Sequence, residues 1–186
     1  MIYNERTQRH EQVVASARQM LTAARTAPKA RGVDIIEAIL VEGDDLKLLA
    51  ERMVEIGNER NRPSFIRDAG NVLQAECIVA IGTRYQSLGL NCGHCGFATC
   101  AERENSQLST FNSQFQVPCS LNSIDVGIAV GSACATAADL RLDTRVMYSI
   151  GVAVEQLGWI GEGVHLTMGI AVSASSKNPF FDRPTK

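Results

Sequence analysis

Six cysteines are spread unevenly along a chain of 186 residues, and four of them have the spacing of a ligand set. Cys92, Cys95 and Cys100 form a C-x2-C-x4-C run inside residues 88–100, and Cys119 follows after eighteen intervening residues. A C-x2-C turn is short enough for both sulfurs to face one ion or cluster, and the next four-residue step brings a third sulfur back to it. Gly93 and Gly96 let the loop fold tightly, because glycine accepts positive φ without a Cβ clash. In an iron–sulfur site such a loop aims its N–H groups at the sulfurs, and those hydrogen bonds help set the reduction potential. Phe97 is placed to shield the site from water, and His94 reads as an exposed loop residue rather than a ligand.

Three kinds of chemistry fit this pattern. A [4Fe–4S] cluster held by Cys92, Cys95, Cys100 and Cys119 satisfies the usual count of four thiolates. A structural zinc ion also accepts four thiolates, although zinc ribbons usually pair two C-x2-C knuckles and only one is present. Disulfides or buried free thiols are the third reading. The cluster is the leading expectation.

The segment Cys-Gly-His-Cys-Gly-Phe-Ala-Thr-Cys resembles the C-G-x-C-G-x-x-x-C signature of the small 4Fe–4S domain of corrinoid iron–sulfur proteins. The same signature occurs in the cluster subunit of ion-translocating electron-transport complexes. In that domain a fourth ligand follows after a comparable gap, which Cys119 matches. Nearly the whole chain resembles a family of "ferredoxin domain-containing" proteins, through residues 26–34, the cysteine loop, and residues 117–129, 137–143 and 177–183. That family is similar in outline to FMN-dependent nitroreductases. The resemblance implies a nitroreductase-like fold with an inserted iron–sulfur loop, and a long helix of small residues central to a homodimer. It also implies FMN at the subunit boundary.

Arg25, Lys29 and Arg31 surround Pro28 where a first helix gives way to a first strand. Two or three cations can hold a flavin phosphate by charge-assisted hydrogen bonds; equally, positive charge is favourable beside a helix C-terminus. The Arg-Arg-Ser-x-Arg signature that nitroreductases carry upstream of the first helix is absent. No G-x-G-x-x-G or Walker pattern supports NAD(P) or ATP.

These residues must be positioned by a scaffold, and the length suits one domain over residues 1–186 with a cysteine-rich metal-binding segment at about 85–120. The net charge of −2 makes no electrostatic case for nucleic acid or an anionic membrane. Six cysteines at this spacing fit a reducing cytoplasm better than a secreted disulfide scaffold. The N-terminus lacks a signal-peptide pattern, and the uncharged run 126–138 is shorter than the ~20 residues that span a bilayer. We expect a soluble cytoplasmic protein.

Apolar periodicity predicts a helix from Glu5 to about Thr26, capped by Asn4 and stopped before Pro28. A buried strand follows over 33–41, then helices opened by Asp44 or Asp45 and by Pro63, then a strand from Cys77 to Ile81. A short helix is expected over 98–107, and a polar crossing over 102–116. Beyond these come a long helix capped by Asn122, a helix over 145–157, a last strand over 165–173 and a polar tail from Asn178. The order implies an α/β (α+β) sandwich, a few-stranded sheet flanked by helices.

Cys77 and Cys134 read as packing cysteines. His10, His165, Asp125, Asp139 and Asp143 form no catalytic constellation, so no catalytic residue is assigned. The expected function is electron transfer or an oxidoreductase component working with a flavin or a redox partner protein. The alternatives are a protein stapled by structural zinc and an accessory module for metalloenzyme assembly.

Overall fold

The computed structural model describes residues 2–110 and 113–181. Helix α1 (Glu5–Thr26) opens on Asn4, whose side chain accepts from the Arg6 N–H, and it ends before Pro28. Strand β1 (Ile36–Glu42) starts three residues later than the apolar pattern from Val33 implies, because residues 30–32 form a 3-10 turn with Arg31 at φ 58. Helices α2 (Asp45–Glu59) and α3 (Pro63–Val72) lead into β2 (Cys77–Arg84), with Pro63 in the first turn of α3.

After the cysteine loop come a six-residue α4 (Cys100–Asn105) and a hairpin of β3 (Gln107–Thr110) and β4 (Ser113–Gln116). The hairpin replaces the plain crossing expected there; its tip lies outside the described residues. The long α5 (Ser120–Asp139) begins two residues before Asn122, with Cys119 at the cap position. Where the pattern predicted one helix over 145–157, the chain instead makes β5 (Asp143–Met147) and then α6 (Tyr148–Gln156). The reason is tertiary: residues 143–147 pair along β6 (Val164–Ser173), so ladder hydrogen bonds override local helical spacing.

Four of the six described strands form one sheet in the order β1-β2-β6-β5, every neighbouring pair antiparallel, and β3 and β4 pair separately. Successive side chains of β2 alternate between two cores, as the pleat requires. Ile78 and Ala80 join Leu49, Met53, Ile56, Phe65 and Ile150 under α2, α3 and α6. Cys77, Val79 and Ile81 join Val13, Ala17, Met20, Ala129 and Ala133 under α1 and α5. The architecture is therefore a mixed α/β fold with helices on both faces of an antiparallel sheet.

The expected polar tail is anchored in this core. Phe180 is fully buried, its N–H donates to Asn178 Oδ1 at 2.9 Å, and its carbonyl accepts from Arg145. Residues 182–186 lie outside the described residues.

By length and composition alone α5 could cross a membrane. Its Ala129, Ala133 and Ala137 are fully buried in the core beneath the sheet, and Ser132 Oγ donates to the Ala23 carbonyl of α1 at 3.0 Å. It is a core helix with one open face, on which Ile124, Gly127, Ile128 and Gly131 are exposed.

Candidate metal centre

Strand β2 delivers the chain to the cysteine loop, and three further attachments hold the loop to the scaffold. Arg31 Nη1 donates to the Leu88 carbonyl at 2.6 Å, Asn122 Nδ2 to the Gln86 carbonyl at 2.8 Å, and Ser120 Oγ to the His94 carbonyl at 3.1 Å. The residues from 28 to 32 are fixed in turn by Asp125, whose buried carboxylate accepts from the Ala30 N–H at 3.0 and 3.1 Å.

Within the loop, Gly93 (φ 73) and Gly96 (φ 87) take left-handed conformations, and the Gly96 N–H donates to the Gly93 carbonyl at 2.9 Å. This closes the turn between Cys92 and Cys95. Thr99 caps α4 by accepting from the Glu102 N–H at 3.2 Å, while Glu102 reaches back to the Ala98 N–H at 3.1 Å. Cys100 is thus set at the first residue of a short, doubly capped helix.

Cys92, Cys95, Cys100 and Cys119 line one pocket, together with Leu88, Leu90, Phe97, Arg103 and Leu121. Three separate segments supply the sulfurs: the loop, the start of α4 and the cap of α5. Among the described residues no three His, Cys, Asp or Glu side chains are gathered tightly enough to hold a single ion; the thiols stand around the pocket walls. Cys100 is held below the usual thiol range by a hydrogen bond from Ser87 and, after it, by N–H groups of Asn91, Leu90 and Gly89. The Asn91 N–H lies 3.4 Å from Cys100 Sγ. The donors therefore stabilise a thiolate, the form that ligates metal.

Cys77 is fully buried, and desolvation pushes its thiol up to about 12; Cys134 is half-buried and its thiol is also raised by burial. Both lie away from the four-cysteine pocket.

The basic group divides. Arg25 Nη1 donates to Asp34 at 2.8 Å and to the Ile36 carbonyl at 2.6 Å. Lys29 Nζ donates to the Arg25 and Ala27 carbonyls at 2.5 and 2.9 Å, closing the C-terminus of α1. Arg31 turns to the cysteine loop, as above. Asp143 accepts from Asn178 Nδ2 at 3.1 Å, and Arg145 Nη2 lies 3.8 Å from the buried Asp68.

Sequence reasoning missed Tyr85 and Arg103. Arg103 is almost fully buried, one turn after Cys100, and its guanidinium lies 4.7 Å from the Tyr85 ring centroid. Tyr85 in turn packs at 4.9 Å against His165, whose ring nitrogens are buried. Burial lowers the pKa of His165, which favours the neutral ring. An arginine within a polar run carries no sequence mark of burial; only its distance of one turn from Cys100 hinted at a shared face.

The fold is that of the nitroreductases. It is similar to a nitroreductase with bound FMN from Desulfitobacterium hafniense, at 14% identity and a TM-score of 0.56 over 95% of this chain and 80% of that one. It is also similar to the NADPH:FMN oxidoreductase from Vibrio harveyi complexed with NAD+, at 14% identity and a TM-score of 0.55, over 89% of this chain and 61% of that one. Such identities establish likeness of fold. A protein of Archaeoglobus fulgidus, described as uncharacterized, is 40% identical over the full length of both chains. Residues 116–183 match the family described as uncharacterized proteins containing a ferredoxin domain, and the chain belongs to that family.

Proposed function

We propose that the protein binds a [4Fe–4S] cluster through Cys92, Cys95, Cys100 and Cys119 and works as an electron-transfer or oxidoreductase component. The observation that carries this reading is the single pocket lined by all four thiols. When bound, a cluster ligated by four protein thiolates supplies one-electron transfer and leaves no iron open to substrate. The chain's own part is to favour the Cys100 thiolate through its hydrogen-bond donors and to pin the loop to α5. Leu88, Leu90, Phe97 and Leu121 add an apolar wall that limits water.

The test is anaerobic purification with iron, sulfide, zinc and flavin counted per chain. Four irons and four sulfides, with a brown colour bleached by dithionite, are expected. A colourless protein with one tightly held zinc overturns the reading and leaves a structural staple.

A flavin partner is the second part of the reading, favoured by the FMN bound in a neighbour of the same fold. A flavin accepts two electrons and a cluster relays them singly, so the pair would be complementary. Arg25, Lys29 and Arg31 are the cations proposed for its phosphate. Each also has an internal role, so a phosphate would share them rather than meet free charge. Titration of the apo-protein with FMN tests this, and binding weaker than about millimolar, ~4 kcal/mol, rejects it. We place the protein in the cytoplasm as a homodimer joined along the open face of α5.

A further inference from the structure

Arg103 is 1% exposed and borders the pocket that the four cysteines share. Its Nη1 donates to the Val117 carbonyl at 2.9 Å, and the Tyr85 hydroxyl donates to the same carbonyl at 2.8 Å. That carbonyl lies two residues before Cys119. Arg103 itself lies three residues after Cys100, so this clamp ties the segment bearing the fourth thiol to the helix bearing the third. The carboxylate within reach among the described residues is that of Glu104, at 3.4 Å and 43% exposed. A charge this deeply buried needs compensation, and a half-exposed carboxylate is screened by water. The Tyr85 face adds a cation–π contact, and Arg103 also lines the pocket that holds the four thiols.

We propose that Arg103 is a positioning residue and the fixed countercharge of the four-cysteine centre, an inference that rests on the iron–sulfur reading above. Four thiolates around a cluster make a net negative centre, and one-electron reduction makes it more negative. A cation held in a low-dielectric site beside it favours the reduced form more than the oxidised form. Arg103 therefore raises the reduction potential of the centre, in addition to setting Cys119 against Cys100.

The experiment uses the full chain, purified anaerobically, as wild type, Arg103→Lys, Arg103→Met and Tyr85→Phe. Iron and sulfide are counted per chain, and midpoint potentials are read from visible absorption during titration with dithionite, which supplies the electron. Arg103→Met, which keeps bulk and loses charge, is expected to lower the equilibrium constant for reduction about tenfold, 59 mV more negative for one electron. Arg103→Lys is expected to keep both iron and potential close to wild type. Tyr85→Phe, which loses one clamp but no charge, is expected to release iron faster at an unshifted potential. A loaded Arg103→Met protein with the wild-type potential overturns the proposal. If Arg103→Met does not load, retention of iron by Arg103→Lys supports a role for the charge, and loss in both overturns it. Wild type without iron and sulfide refutes the cluster reading itself, before any variant is compared.

Discussion

Asn91 and Cys100 hold each other by two hydrogen bonds. The Asn91 N–H points at Cys100 Sγ from 3.4 Å, and Asn91 Oδ1 accepts from the Cys100 N–H at 2.8 Å. Asn91 reaches this geometry at φ 48, a left-handed conformation that asparagine tolerates better than most side chains. Asn91→Gly keeps the backbone donor and removes the side-chain acceptor. A side-chain hydrogen bond contributes about 1 kcal/mol net, so iron release to a ferrous chelator should quicken about fivefold. Asn91→Asp, which retains the acceptor, should stay near the wild-type rate.

Cys119 and Cys134 lie on the same helix or its cap, only one of them in the pocket. Cys119→Ala should lose most of the iron per chain, while Cys134→Ala keeps it. The opposite result would mean that the fourth ligand is wrongly assigned.

Glu155 accepts from the Thr167 N–H at 2.7 Å where β6 bulges, with Leu166 at φ 55 and the pairing with β2 shifted. Desolvation raises its pKa above the ordinary glutamate value despite that hydrogen bond. The folded state then binds the proton more tightly than the unfolded chain. Stability falls as pH rises from the unfolded pKa through the raised folded one. Glu155→Gln keeps an acceptor for Thr167 and should flatten this slope in denaturant titrations between pH 4 and pH 7. Glu155→Ala leaves a bulge N–H without its partner and should cost about 1–3 kcal/mol at any pH in that range.

Gly151 is the point where α6 meets β6. A Cβ there would fall 1.7 Å from the Thr167 carbonyl oxygen, which is backbone and has nowhere to turn. Gly151→Ala should destabilise by about 3 kcal/mol, lowering Tm by roughly 6–12 °C. Gly131→Ala on α5 meets nothing within 4 Å and serves as the comparison.

The open face of α5 gives a test of the proposed dimer. Light scattering should report a mass of two chains for wild type and one for Gly131→Gln, whose longer side chain keeps two helices apart. A monomeric wild type would remove the homodimer from the reading.

The sequence by itself determined the parts that depend on local chemistry. Asn4, Pro28 and Pro63 mark helix ends because capping and the missing proline N–H act within a few residues. The runs at 33–41, 77–81 and 165–173 read as strands because their apolar side chains fill the sheet, and the observed strands overlap each of them. The cysteine spacing singled out the four thiols that line one pocket, since short separations along the chain limit how far three of them can part. Tertiary structure alone decided the rest. Residues 143–147 become a strand by pairing with β6, and Phe180 enters the core although it sits in a polar tail. The same dependence on distant partners turned Arg31 toward Leu88 and buried Arg103 beside the pocket. Charge on a side chain is visible in sequence; the partner that takes up that charge is set by packing between segments far apart in the chain.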